Sequence, residues 1–238
     1  GLQVPDTPFL DTVEEMAAHY AAAMRGVQPH GPYLLGGWSI GGTVAFELAR
    51  QLAAAGEEVA LLVLVDPPPP FQFGARQPDE LEMISLFARD LAATQGRDLL
   101  VTMSVAELRA LAPAERLPRV LAEAEVAHLV PPGIGAAAAE RLFHMYRTTR
   151  EAARVYVPGP YPGSAVVFLT TDPADPAGAA GDGAADDGSG WPELAAGGVE
   201  VEEIAGDHYS ILRPPGVEAL AARLAARLAP FDGRRSEP

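Results

Sequence analysis

One serine set among glycines, five histidines and two aspartates that each close an apolar run could do nucleophilic chemistry in this chain. The serine is Ser39, in Gly36-Gly37-Trp38-Ser39-Ile40-Gly41-Gly42. A serine hydroxyl is a weak nucleophile until a base takes its proton. The base in turn needs a third group to hold its ring. His19 lies on a helix flank, His30 in a turn, and His128 and His144 in helical sequence, so packing or solvation is their expected role. His208 follows a core strand at its C-terminal end, and it satisfies the chain order serine, acid, histidine. Asp66 and Asp172 each end a strand, and local sequence does not choose between two carboxylates so placed. Asp207 adjoins His208 too closely to reach its ring and reads as a loop residue.

These residues need elements to position them. Tyr33 to Trp38 is an apolar strand behind a Gly31-Pro32 breaker. Thr43 to Leu52 is a helix with Val44, Leu48 and Leu52 on one face. Gly37-x-Ser39-x-Gly41 between them fits the nucleophile elbow of an α/β-hydrolase. A strand that turns into a helix within a few residues crowds its own backbone, so side chains two residues before and after the serine are expected to collide. The serine is forced into a strained conformation that pushes its hydroxyl out of the sheet. Its amide and that of Ile40 then lie at a helix N-terminus, which favours developing negative charge.

Val59 to Val65 is a continuous apolar run, the mark of a strand buried in a parallel sheet. Strand, helix and strand in this order imply a right-handed crossover. From about Asp79 to Tyr156 the strand signal disappears, and Glu80–Thr94, Val105–Leu111, Ala114–Leu129 and Ala136–Val155 read as helices. Such an insert, over the end of the sheet where the elbow points, reads as a lid. Its apolar residues Leu86, Phe87, Leu142, Phe143 and Met145 are expected walls for a substrate. Ala165–Leu169 and the stretch holding Val199, Val201 and Ile204 return to strand. Asp172–Gly190 reads as a mobile acidic loop. A first helix carries Val13, Met16, Ala17, Tyr20, Ala21 and Met24 on one face behind a Thr12-x-x-Glu15 capping box, and Val217, Leu220, Leu224 and Leu228 line a closing helix. Gly1 to Val4 reads as the end of a strand. The expected organisation is one domain over 1–238, with a mostly parallel α/β core at 1–78 and 157–238 and a helical lid at about 79–156.

The formal charge is −15, and all 17 basic residues are Arg. No basic cluster is dense enough to follow a phosphate backbone, so nucleic acid is excluded as the expected partner. Without cysteine there is no disulfide, no thiolate metal site and no thiol nucleophile. No metal or bound cofactor is expected. No signal peptide is expected and no apolar run is long enough to span a bilayer, so no membrane partner is expected and the location reads as cytoplasmic.

From its first helix to its last, the chain resembles the thioesterase domain that ends nonribosomal peptide synthetases and modular polyketide synthases. The residues that carry the resemblance run from Gly31 to Glu47, with Trp38 inside the elbow, together with the lid insert and Gly206-Asp207-His208 before the closing helix. The resemblance implies that the acid lies on the strand right after the elbow helix, which selects Asp66 over Asp172. It implies a triad of Ser39, Asp66 and His208, with the Ile40 amide in the oxyanion hole. The implied substrate is an acyl or peptidyl thioester on the phosphopantetheine arm of an upstream carrier-protein domain. Release would follow by hydrolysis or macrocyclisation, as in antibiotic biosynthesis. The resemblance also places strands and a glycine-rich loop ahead of residue 1, where the second oxyanion donor would sit. The expectation is of a chain that lacks those N-terminal strands and leaves a sheet edge unpaired. Alternatives are a stand-alone editing thioesterase or an esterase and, from another class, a non-catalytic acyl-binding or docking module.

Overall fold

The computed structural model describes residues 10–70, 77–93, 104–130, 136–172 and 190–231. The expected strand at Gly1–Val4 and nearly all of the acidic loop lie outside them. The order is α1 (Val13–Arg25), β1 (Tyr33–Trp38), α2 (Ile40–Ala54), β2 (Val59–Val65), α3 (Glu80–Ala93), α4 (Val105–Ala110), α5 (Pro113–Val126), α6 (Ala136–Val155), β3 (Ala165–Thr170), α7 (Trp191–Leu194), β4 (Val199–Ile204) and α8 (Gly216–Leu228).

The four strands form one parallel sheet in the order β1-β2-β3-β4. Among the described residues β1 is therefore an edge, and Leu34 on it is exposed. The apolar runs of β2 and β3 are what a sheet covered on both faces requires. One face packs on α1 and α2 through Phe46, Leu52, Leu62, Leu64 and Val167. The other, with Val63, Val65, Phe168 and Ile204, packs on Ile211 and on Leu220 of α8. Glu200 and Glu202 sit in β4 without breaking it because Arg227 of α8 pairs with both and Arg223 reaches Glu202.

α3 to α6 have a core of their own, built around Ile84, Phe87, Leu108, Val120 and Ala139. The insert is thus a small helical layer, not a decoration on the sheet. α2 holds it at one point. Glu47, fully buried on α2, accepts from Arg50 (2.7 and 2.8 Å), Gln51 (2.8 Å) and the Tyr156 hydroxyl just past α6 (2.7 Å). Burial pushes its carboxyl upward, and these four donors outweigh that and hold it below the ordinary value.

Two expectations need correction, and one element is new. Of the residues expected to line one face of α1, Tyr20 is 53% exposed, because the stripe facing the core is narrower than the periodic pattern. α5 stops at Val126 and His128 lies in the turn beyond it with φ 57°, not on a helix. α7 was not anticipated: Trp191 is buried, edge-on to Phe46 at 5.1 Å, and fills the core beneath α2.

Candidate active site

β1 ends at Trp38 and α2 begins at Ile40, so Ser39 alone turns the chain. Its φ of 55° and ψ of −132° are a conformation that non-glycine residues rarely adopt. Its amide donates to the Val65 carbonyl at 2.9 Å, which pins the turn to β2. The hydroxyl does not cap α2. Ile40 opens that helix, which puts its amide at the positive end of the dipole.

The two elbow glycines are not equivalent. A Cβ on Gly37 would overlap the Gly41 carbonyl, so Gly37 cannot be anything else. A Cβ on Gly41 would meet nothing within 4 Å. The expected collision on both sides of the serine is one-sided: the helix turns Gly41 outward, and only the strand side is crowded. Gly42 is tighter than Gly41, with the Gly37 carbonyl and the Pro67 Cβ each at 3.2 Å from an added Cβ.

Trp38 pairs with Val65 across β1 and β2, so the residues that follow them, Ser39 and Asp66, leave the same rim of the sheet. Asp66 also has a positive φ, 44°, as the chain breaks into Pro67 to Pro70. Its Oδ1 accepts the Thr170 amide at 2.9 Å and the Thr170 hydroxyl at 3.0 Å. Its Oδ2 meets His208 Nδ1 at 2.5 Å. A carboxylate only accepts, so it is Nδ1 that donates, and Nε2 is the ring nitrogen left for other chemistry. Asp172 stays apart: it is exposed, and its amide donates to the Gly206 carbonyl at 2.9 Å.

The loop that presents His208 is fastened by Asp207. Its Oδ1 accepts the amides of Tyr209 (2.8 Å) and Ser210 (2.9 Å). Burial raises this carboxyl, and the two backbone donors outweigh it and hold it low. That is the loop role read for it from sequence. Gly206 has φ 116°, where a side chain would be strained. Trp38 stacks on the imidazole with centroids 4.8 Å apart and planes at 25°, and its Nε1 donates to the His208 carbonyl at 3.2 Å. Tyr209 meets the imidazole edge-on at 5.1 Å.

The other histidines lie elsewhere. His30 pairs with Glu57 at 3.2 Å, at the N-terminal ends of β1 and β2. His144 contacts Arg147 on α6 at 3.1 Å. His19 is exposed on α1. Among the described residues no group of acidic residues and histidines could hold a metal ion, and no helix is long and apolar enough to cross a membrane.

The five residues expected to wall a substrate have different surroundings. Phe87 is 2% exposed and packs on Phe143 (5.3 Å) and Tyr146 (5.2 Å), so it holds the helical insert together and offers almost no surface to a ligand. Leu142 and Phe143 are partly buried against the same cluster, Leu86 is half-buried, and Met145 is exposed. A cleft of about 290 Å³ opens between the start of α3 and α6, and Phe143 is the member of the five that lines it, beside Met83, Arg147 and Glu151. Sequence reasoning missed Thr170 and Asp90. Both are ordinary residues at their positions, and only the crossing of elements gives them partners.

A parallel α/β sheet with a serine on a strained strand-to-helix turn defines a protein of the α/β-hydrolase type. The comparison with protein families narrows this: the thioesterase domain model matches residues 1–228, and the chain belongs to that family. The non-reducing polyketide synthase atnG of Arthrinium sp is 32% identical over 237 residues, 93% of this chain and 10% of that protein. The atromentin synthetase invA5 of Paxillus involutus is 51% identical over 65 residues, 27% of this chain and 7% of that protein. The chain thus spans a tenth or less of these curated relatives. Among solved structures, a four-domain nonribosomal peptide synthetase, holo-AB3403, matches with a TM-score of 0.83 and 29% identity over 100% of this chain and 17% of its own. The Vlm2 thioesterase domain shares the fold at a TM-score of 0.64 and 24% identity, over 95% of this chain and 80% of its own.

Proposed function

We propose that this domain releases an acyl or peptidyl chain from the phosphopantetheine thioester of a carrier protein, through an acyl-enzyme on Ser39. The observation that carries the reading is the 2.5 Å contact of Asp66 with His208 Nδ1, at the rim where Ser39 turns the chain. Membership of the thioesterase family and the relatives among polyketide synthases and peptide synthetases support a carrier-borne substrate.

In the first step the Ser39 oxygen attacks the thioester carbonyl carbon as His208 Nε2 takes the hydroxyl proton. Asp66 holds the imidazole and stabilises its charged form. The oxygen of the tetrahedral intermediate takes its negative charge beside the Ile40 amide at the start of α2. The C–S bond then breaks, and the proton passes from His208 to the departing thiol. In the second step water, or a hydroxyl or amine of the chain itself, gives its proton to His208 and attacks the ester. The bond from the acyl carbon to the Ser39 oxygen then breaks and His208 returns its proton to that oxygen, yielding a free acid or a macrocycle. Phe143, the one of the five expected lid residues that lines the cleft, is the one we assign to meet the acyl chain.

Turnover of an acyl chain on a carrier protein, set against the same acyl group on a simple alcohol, tests this reading. A large preference for the carrier-borne thioester is expected. Equal turnover of both would favour an esterase. No turnover, and no labelling of Ser39 by a fluorophosphonate, would favour a binding module.

A further inference from the structure

We infer that Asp90 and Tyr209 are positioning residues that tie the lid to the imidazole of His208; the inference rests on the serine mechanism proposed above. Asp90 lies on α3, in the lid. Its Oδ1 accepts from the Tyr209 hydroxyl, across 119 positions of sequence. Its Oδ2 accepts from the Tyr146 hydroxyl of α6 at 2.6 Å and faces Arg150 at 3.5 Å. Arg89 lies 3.7 Å from Oδ1. One carboxylate thus joins two lid helices to the residue that directly follows the histidine.

The geometry of Tyr209 transmits this to the base. Its ring stands edge-on to the imidazole at 5.1 Å and to Trp38 at 6.1 Å, while Trp38 covers a face of the imidazole. The imidazole is therefore held by Asp66 at Nδ1, by Trp38 on a face and by Tyr209 at an edge. The first two supports belong to the sheet. The third is set by the lid, because Asp90 fixes where the Tyr209 hydroxyl sits. Burial and then the negative charge of Asp90 hold the Tyr209 and Tyr146 hydroxyls well above the ordinary phenol value, so both remain phenols that donate.

A carboxylate suits this junction, since each oxygen serves a different element and the flanking arginines offset its charge. Moving α3 would pull Tyr209 with it or release it, and either outcome turns the ring that abuts the base. Lid placement and base orientation are then one variable rather than two.

The test is the rate at which a fluorophosphonate labels Ser39 in the intact protein, resolved into the maximal rate and the half-saturating concentration. Tyr209→Phe keeps the ring and removes the hydroxyl. It should lower the maximal rate about tenfold at unchanged half-saturation, within the roughly 100-fold that a misplacement of about 1 Å can cost. Asp90→Ala should do the same, and the double variant should be no slower than either single one. Tyr146→Phe, which touches only the lid side of Asp90, should stay within about twofold of the parent. If Asp90→Ala does not fold, Tyr209→Phe decides alone. A Tyr209→Phe protein labelled at the parent rate, or losses that multiply in the double variant, would overturn the inference. A parent protein that is not labelled at all would instead remove the serine mechanism beneath it.

Discussion

Thr170 donates both its backbone N–H and its hydroxyl to Oδ1 of Asp66, at 2.9 and 3.0 Å. The last residue of β3 thereby fixes the carboxylate that ends β2, and leaves Oδ2 for the imidazole. Thr170→Val keeps the shape and the N–H but deletes the hydroxyl. We expect kcat to fall about tenfold, at the low end of the roughly 1.5–3 kcal/mol of a hydrogen bond to a charged group. Thr170→Ser should restore it. Equal rates in all three proteins would mean that the amide alone orients Asp66.

Asp66→Asn should lower kcat by about 10⁴, because an amide no longer favours the imidazole tautomer with its proton at Nδ1. Asp172→Asn should leave kcat unchanged, since the amide of Asp172, bonded to Gly206, is untouched. Steady-state kinetics on an acyl-pantetheine thioester separate the two.

The two elbow glycines give opposite forecasts. Gly37→Ala should destabilise by more than about 3 kcal/mol or prevent folding, because its Cβ meets backbone that cannot yield. Gly41→Ala should be neutral or slightly stabilising, by about 0.5–1 kcal/mol, since an open helical position gains from alanine. Denaturant titration of both variants checks this.

Glu47 makes stability depend on pH. Its folded carboxyl lies below the unfolded value, so its stabilising contribution is full above about pH 5, begins to fade near the ordinary carboxylate value of about 4, and is lost as the pH falls on through the lower folded value. Glu47→Gln should cost about 1–3 kcal/mol at neutral pH, because Arg50, about one-third exposed, can turn to water. The gap between variant and parent should narrow at acid pH. A gap that is constant from pH 7 to pH 4 would place the effect in packing.

The chemistry-bearing half of the fold was legible because its signals are local. An apolar strand, a glycine-lined turn and an amphipathic helix lie within twenty residues, and β1, α2 and β2 follow them. The helices of the insert were equally legible, since Pro and Gly mark their ends; α3 and α6 begin where expected. Thr170, Asp90 and Tyr156 were not, because their partners are more than fifty residues away and carry no pattern of their own. α7 was missed for a related reason. A single turn has no periodicity, and Trp191 announces itself only by filling the space beside Phe46. Asp66 and Asp172 looked alike in sequence because each ends a strand; what separates them is the neighbour at the rim, Thr170 and His208 for the first, Gly206 for the second.

Intact-protein mass spectrometry after mixing with an acyl-pantetheine thioester bears most directly on the acyl-enzyme. The expected result is a mass increase equal to the acyl group, located on the peptide that holds Ser39 and absent from Ser39→Ala, which should also lose all turnover. Thioester cleavage with no adduct on Ser39, and with turnover retained in Ser39→Ala, would contradict it.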